Sequence, residues 1–347
     1  MKILITGASG FIGSFLCEEG LRQGHQVWAG VRTGSSRRYL QHPALQFAEL
    51  DFAHPDKLAA QLATHHREHG GWDVVIHCAG VTKCPRKEDF DRGNYTYTRH
   101  LAEGLMAEGI TPRQFVYLSS LSVFGPIREE VAHAGFPHAS PYLYAPITEA
   151  DVPQPNTAYG QSKLRAEQYL QGLAGQLPTV IFRPTGVYGP RERDYFLMAK
   201  SIKAHTDFSV GYRRQEITFI YVKDLVRAIY LAVAKGVTGR AYFVSDGGVY
   251  ESRTFSDLIR HELGNPWLLR IKSPLWLLKG ISYVAGWAAG LMGKTSTLNR
   301  DKYQIMKQRN WQCDINPLRQ ELGFEPEYDL SRGVAETIAW YKKEKWL

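Results

Sequence analysis

Tyr159 and Lys163 stand four residues apart in the stretch AYGQSKLRAEQYL, Ala158–Leu170. The Leu, Ala, Glu and Gln of that stretch favour a helix, and on a helix this spacing puts both side chains on one face. A phenol with its ordinary pKa of about 10 is a poor base at neutral pH. An ammonium group beside it favours the phenolate and lowers that value. The pair is therefore either an ordinary solvated contact, as most such pairs are, or a device for moving a proton.

A second candidate group is the loop TGASGFIG, Thr6–Gly13, which follows an apolar run and opens a helical pattern. Its glycines follow a GxxGxxG spacing at Gly7, Gly10 and Gly13. Glycines let a backbone turn tightly and approach a pyrophosphate at a helix N-terminus. Gly7, Ser9, Gly10, Phe11, Ile12 and Gly13 are accordingly expected to hold a dinucleotide. Such sites often carry a carboxylate at the end of the second strand, for the ribose hydroxyls. Here that place reads Val31 and Arg32, followed by Ser35, Ser36, Arg37 and Arg38. Cations and hydroxyls suit a 2′-phosphate, so NADP is expected in preference to NAD; the alternative is a solvated loop.

Other positions fall where the same ligand would lie. Asp51 could accept from the adenine amino group and Phe52 could pack on the ring, while Ala79 and Gly80 of HCAG offer small residues beneath a cofactor. His77 reads as a packed strand histidine, and Asn94 either caps a helix or supports the site. FVYLSSLSVFG puts hydroxyls at a strand's carboxyl end, where ligands bind in open parallel sheets.

The elements that must position these groups alternate. Strands are predicted at Lys2–Thr6, Gln26–Val31, Gln46–Leu50, Val74–His77, Gln114–Ser119 and Thr179–Arg183. Helices are predicted at Gly13–Gln23, Pro55–His66, Asn94–Glu108 and Tyr159–Leu173. This rhythm implies an α/β fold, a doubly wound parallel sheet covered on both faces. After Arg183 the pattern becomes mixed, which suggests a smaller C-terminal lobe. The expected division is 1–184 and 185–347, with segments near 217–245 able to return to the main domain.

The chain has 347 residues, a formal net charge of +8 and four cysteines without metal-ligand spacing. No metal site and reduced thiols in a cytoplasmic protein are expected. The cations are scattered and form no nucleic-acid module, so an anionic small molecule accounts for part of the excess better than nucleic acid does. The apolar stretch Ser273–Gly293 is interrupted by Lys279 and is diluted by glycines. It is too broken for the roughly 20 residues of a spanning helix, leaving a pocket-lining helix or weak interfacial contact with a membrane.

Taken together, TGASGFIG, LDF, HCAG, LSSLSVFG, YGQSK, RPTGVYGPRERD, FIYVKDL and LGFEPEYDLSRGV closely resemble the extended short-chain dehydrogenase/reductase family, almost end to end. That family contains nucleotide-sugar epimerases and dehydratases as well as 3β-hydroxysteroid-type dehydrogenases. The resemblance implies a Rossmann domain with a mixed α/β C-terminal substrate lobe, and catalysis by Ser120, Tyr159 and Lys163. It also implies nicotinamide contacts from Pro184 and Thr185, and a homodimer built on Asn94–Glu108 and Tyr159–Leu173. Many nucleotide-sugar members carry an arginine where this chain has Ile217, with Arg213 and Arg214 out of register. The expected activity is thus NAD(P)-dependent oxidoreduction at a hydroxyl or ketone carbon of a small-molecule substrate. Nucleotide-sugar epimerisation or dehydration is the alternative, and a non-catalytic cofactor sensor is a third reading. The connection Pro126–Tyr144 is longer than usual for the family; it would be a lid, a subunit contact or a tolerated insertion.

Overall fold

The computed structural model describes residues 1–130, 143–276, 278–280, 282 and 300–347. Most of Pro126–Tyr144 and of Ser273–Gly293 lies outside the described residues.

Seven strands form the central sheet: β1 (Lys2–Thr6), β2 (Gln26–Val31), β3 (Gln46–Glu49), β4 (Val74–His77), β5 (Gln114–Leu118), β6 (Thr179–Pro184) and β7 (Arg240–Val244). Their order is β7-β6-β5-β4-β1-β2-β3. The pairings from β3 to β6 are all parallel, with Ile5 opposite both Ala29 and Ile76. Every residue of β4 and β5 is buried, as continuous apolar runs require when helices cover both faces of a sheet. Helices Pro55–His69, Tyr97–Ala107 and Ala158–Gly172 share one core through Leu58, Leu62, Leu101, Leu105, Ala166 and Leu170. On helix Val222–Lys235, the Tyr230 hydroxyl donates to the Leu16 carbonyl of helix Phe11–Arg22 at 2.8 Å.

Two compact units result, and they differ from a single cut at residue 184. The first takes Met1–Ser120, Ala158–Arg183 and Val226–Tyr242; the second takes Leu121–Thr157, Pro184–Leu225 and Phe243–Leu347. The physical reason is β7: a strand from late in the chain completes a sheet begun at residue 2. The second unit has an aromatic core that includes Tyr188, Phe219, Tyr221, Phe255 and Tyr341. Within it, Glu216 is fully buried and accepts from the backbone amides of Leu143 (2.8 Å) and Tyr144 (3.1 Å). Side-chain amides of Gln308 and Asn310 donate to the carbonyls of Gly125, Arg128 and Ala145 at 2.8–3.1 Å. Both ends of the long connection are therefore pinned by buried polar groups.

His77, at the end of β4, is fully buried and lies between two threonines. Thr98 spends its proton on the Asn94 carbonyl (2.6 Å), so its oxygen must accept from His77 Nε2–H at 2.9 Å. Thr6 Oγ1, 2.7 Å from Nδ1, then donates to that nitrogen, and it accepts from the Ala79 amide at 3.3 Å. The ring is neutral, and burial pushes its pKa down to about 3. His65, stacked on Trp72 at 3.8 Å, is pushed down by burial to about 4. Both values lie below the ordinary 6.5, so between pH 6.5 and about 3 the unfolded chain binds more protons than the folded one. Stability should therefore fall as pH drops through that window. Melting temperature against pH checks this, and His77→Gln should flatten the acid limb.

Candidate active site

The loop after β1 is built by steric exclusion. Gly7 has φ +67°, and a Cβ there would stand 2.7 Å from the Ala79 nitrogen. A Cβ on Gly13 would lie 2.2 Å from the Gly7 carbonyl oxygen. The Gly10 amide closes the turn on that carbonyl at 2.9 Å. Gly10 then caps helix Phe11–Arg22 in an extended conformation, with no side-chain cap and no acidic residue in the first turn. Ser9 and Gly10 are partly or fully exposed. An open helix N-terminus, glycine-lined and free of carboxylate, fits a diphosphate.

Beyond β2, Arg32 is exposed, and its guanidinium has no bonded partner among the described residues. Its backbone amide bonds Ser35 Oγ at 3.1 Å, which shapes the loop. The neighbouring carboxylate is Glu49 on β3, which accepts from the Thr33 hydroxyl. Asp51 is engaged locally, accepting from the Ala53 amide at 3.1 Å and meeting His54 at 2.9 Å. Phe52 is 6 % exposed and packs edge-on to His77, so its ring belongs to the core.

The chemistry-bearing groups meet at the ends of β4 and β5. Helix Ala158–Gly172 presents Tyr159 and Lys163 one turn apart. The Ser120 hydroxyl, just past β5, hydrogen-bonds the Tyr159 phenol. Lys163 Nζ donates to the Leu118 carbonyl at 2.9 Å and stands 4.9 Å from the Tyr117 ring centre. Burial pushes the Tyr159 phenol up to about 12 and the Lys163 ammonium down to about 8. Glu167 and Cys78 partly offset the shift of the lysine.

Asn94 ties the loop after β4 to this helix. It lies in a single π-helical turn, Arg92–Thr96, a device common at functional sites. Its amide accepts from the Val81 N–H (2.8 Å) and donates to the Val81 carbonyl (3.0 Å) and to Ser162 Oγ (3.0 Å). Ser162 in turn donates to the Tyr159 carbonyl at 2.8 Å. Gly80 is enclosed by these groups: a Cβ there would lie 2.7 Å from Asn94 Oδ1 and 3.1 Å from Lys163 Nζ. Gly80→Ala should therefore displace Asn94 or Lys163 and lower kcat/KM by up to about 10²-fold, a misplacement effect. Steady-state kinetics beside a melting curve of wild-type shape check it.

Pro184 closes β6 and belongs with Thr185 to the second unit, where the Thr185 amide donates to the Val244 carbonyl at 3.1 Å. Sequence reasoning missed Ser162 and Glu167, although both lie three or four residues from Tyr159 or Lys163 on the same helix. That spacing was the available signal. Among the described residues there is no cluster of His, Cys, Asp and Glu suited to a metal, and no helix long and apolar enough to cross a membrane.

Residues 3–245 match the family model described as "NAD dependent epimerase/dehydratase family". The chain belongs to that family. This epimerase/dehydratase relative is 25% identical to a 3 beta-hydroxysteroid dehydrogenase/Delta 5-->4-isomerase of Mycobacterium tuberculosis, covering 98% of this chain and 90% of that protein. It is also 25% identical to a dTDP-glucose 4,6-dehydratase of Streptomyces griseus, covering 99% and 94%. The solved dTDP-glucose 4,6-dehydratase of Bacillus anthracis, in complex with NAD, superposes with a TM-score of 0.75 at 19% identity over 100% of this chain and 98% of that one. That likeness confirms the Rossmann-type fold. The family member described here is thus an NAD(P)-dependent enzyme of the extended short-chain dehydrogenase/reductase type.

Proposed function

We propose that the enzyme oxidises or reduces a hydroxyl or ketone carbon of a small molecule, with Ser120, Tyr159 and Lys163 as its catalytic residues. The observation that carries this reading is the Ser120–Tyr159 hydrogen bond one helical turn from Lys163. Gly7, Ser9, Gly10, Phe11, Ile12 and Gly13 would hold the dinucleotide's diphosphate, and Ala79 and Gly80 would underlie it. Asp51 would serve its adenine end, with Phe52 buried behind it, and Pro184 and Thr185 its nicotinamide end. When bound, the cofactor accepts or supplies the hydride and, oxidised, adds positive charge to the site. Tyr159 takes the proton from a substrate hydroxyl in oxidation and returns it in reduction. Added positive charge favours its phenolate against the burial that opposes it. Ser120 orients the reacting oxygen, and Lys163, held on the Leu118 carbonyl, supplies a cation and a ribose contact.

Arg32, exposed and unpaired among the described residues, supports a preference for NADP over NAD. Titration with NADPH and NADH tests it: Arg32→Ala should weaken NADPH binding about tenfold and leave NADH binding unchanged. Equal or tighter NADH binding to the wild type overturns it.

For substrate class, Arg214 near Ile217 is committed to Glu216 at 3.3 Å and Glu251 at 3.6 Å. That commitment supports an uncharged alcohol or ketone over a sugar diphosphate. The Streptomyces griseus relative carries the second reading, sugar-nucleotide epimerisation or dehydration. Nicotinamide absorbance separates the two: net NADPH consumption with ketones supports oxidoreduction, and sugar conversion without net change supports the alternative. The four unpaired thiols support a cytoplasmic setting, and we include homodimerisation in this reading, with sedimentation as its check.

A further inference from the structure

Ten large hydrophobic residues are exposed among the described residues, and six of them fall in two short segments of the second unit. These are Phe208 (62%), Tyr212 (67%), Trp267 (68%), Leu269 (57%), Ile271 (37%) and Trp276 (74%). Contiguous exposed apolar groups of this kind mark interaction sites.

The two segments are joined by a two-stranded parallel sheet, Thr206–Val210 with Leu269–Ser273. Ile271 is opposite Phe208 and Leu269 opposite Thr206, so Phe208, Leu269 and Ile271 share one face. The other face is polar: Asp207 is buried and Ser209 half-buried, while Arg270 and Lys272 are exposed. Asp207 is 4% exposed, lies 3.8 Å from Arg270 Nε and accepts from Ser256 of helix Thr254–Glu262 at 3.3 Å. A sheet with one face in water ordinarily does the reverse, apolar in and polar out. The apolar face left in water is therefore the unusual one, and it calls for a cover.

Its charge says by what. Lys203–Arg214 and Trp267–Gly280 carry six cations, Lys203, Arg213, Arg214, Arg270, Lys272 and Lys279, against the single carboxylate Asp207, hence +5 of the chain's formal +8. Arg214 and Arg270 are ion-paired. Lys203, Arg213, Lys272 and Lys279 have no carboxylate partner among the described residues. A second copy of this chain would bring cations against cations, and nucleic acid would leave leucine and isoleucine without apolar cover. An anionic bilayer meets both demands: its headgroups take the cations and its acyl boundary takes the aliphatic chains. Tryptophans flanking the apolar strand, with apolar rings and a polar N–H, suit the level between them.

We propose that the Phe208–Leu269–Ile271 face, flanked in sequence by Trp267, Trp276 and the cations Lys203, Arg213 and Lys272, seats the enzyme on the surface of an anionic lipid bilayer. The contact is peripheral, reversible and sensitive to salt. It is independent of which substrate the active site takes.

Flotation of the full-length protein with phosphatidylcholine vesicles, with and without phosphatidylglycerol, tests this. The wild type should float with the anionic vesicles, only weakly with the neutral ones, and less as salt is raised. Leu269→Ser with Ile271→Ser should reduce the bound fraction at least about tenfold. Arg213→Glu with Lys272→Glu, which touches no packed core, should abolish the preference for anionic vesicles. Both variants should keep wild-type turnover on a soluble substrate, which also serves as the control for folding. Equal binding to both vesicle types, no binding, or unchanged binding by the variants overturns the proposal. A dimer in sedimentation that the serine pair dissociates would assign the face to a second copy, and that too overturns it.

Discussion

Replacing Tyr159 by phenylalanine is expected to lower kcat by about 10²- to 10⁴-fold, the range for loss of a positioned acid–base group. Cofactor affinity and melting temperature should change little. The substitution removes one oxygen from a half-buried ring and leaves the Ser162–Tyr159 backbone bond and the Lys163–Leu118 bond in place. What it removes is the phenol that Ser120 contacts. In the ligand-free protein burial holds that phenol up at about 12, so its use as a base depends on positive charge gathered around it. Burial holds the lysine at about 8, which keeps the ammonium form dominant at neutral pH. Turnover and a nucleotide titration on the same variant separate the roles. Near wild-type turnover with cofactor bound would remove Tyr159 from the mechanism and leave the pair as packing.

The second large effect is expected at Glu167, four residues beyond Lys163 on the same helix. Its carboxylate meets Arg183 of β6 at 2.6 Å, and both side chains are at least nine-tenths buried. Breaking a buried ion pair from one side leaves an uncompensated charge and costs about 3–5 kcal/mol. Glu167→Ala should therefore lower stability by about that amount, read from denaturant midpoints at constant slope. Replacing both partners by apolar residues of similar volume, as in Glu167→Leu with Arg183→Met, should restore much of the loss. The same carboxylate supports the Lys163 ammonium, so its removal should move that lysine's pKa further down, below about 8. In Glu167→Gln, any activity limb that reports loss of the Lys163 proton should shift to lower pH. A destabilised variant with an unshifted limb would make Glu167 a strut for the sheet and nothing more.

Local pattern carried the sequence reading a long way. Strands Lys2–Thr6, Gln26–Val31 and Val74–His77 are expected and found with the same bounds, because continuous apolar runs ending at glycine or polar turns leave little choice. The Tyr159–Lys163 pairing is equally local, being a consequence of helical spacing. What escaped was long-range. Arg183 and Glu167 are partners only because β6 lies against the helix that precedes it, and no period announces that. Asn94 reads as either a helix cap or a support of the site, and the π-helical turn from which its amide reaches Val81 and Ser162 is what local pattern did not announce. Phe52, expected at the adenine, packs its ring against His77 and Tyr97, contacts that no local period announces.

The late arrival of β7 bears on how the molecule is made. During synthesis β6 is finished at residue 184, and its free flank waits for a strand that begins at residue 240. At about 5–20 residues per second, that interval lasts roughly 3–11 s. Through it the nascent chain carries a bare, apolar sheet edge of the kind that recruits other chains. Residues 185–239 are in this sense a delay line, and slower translation across them would lengthen the chain's exposure to aggregation before its sheet is sealed.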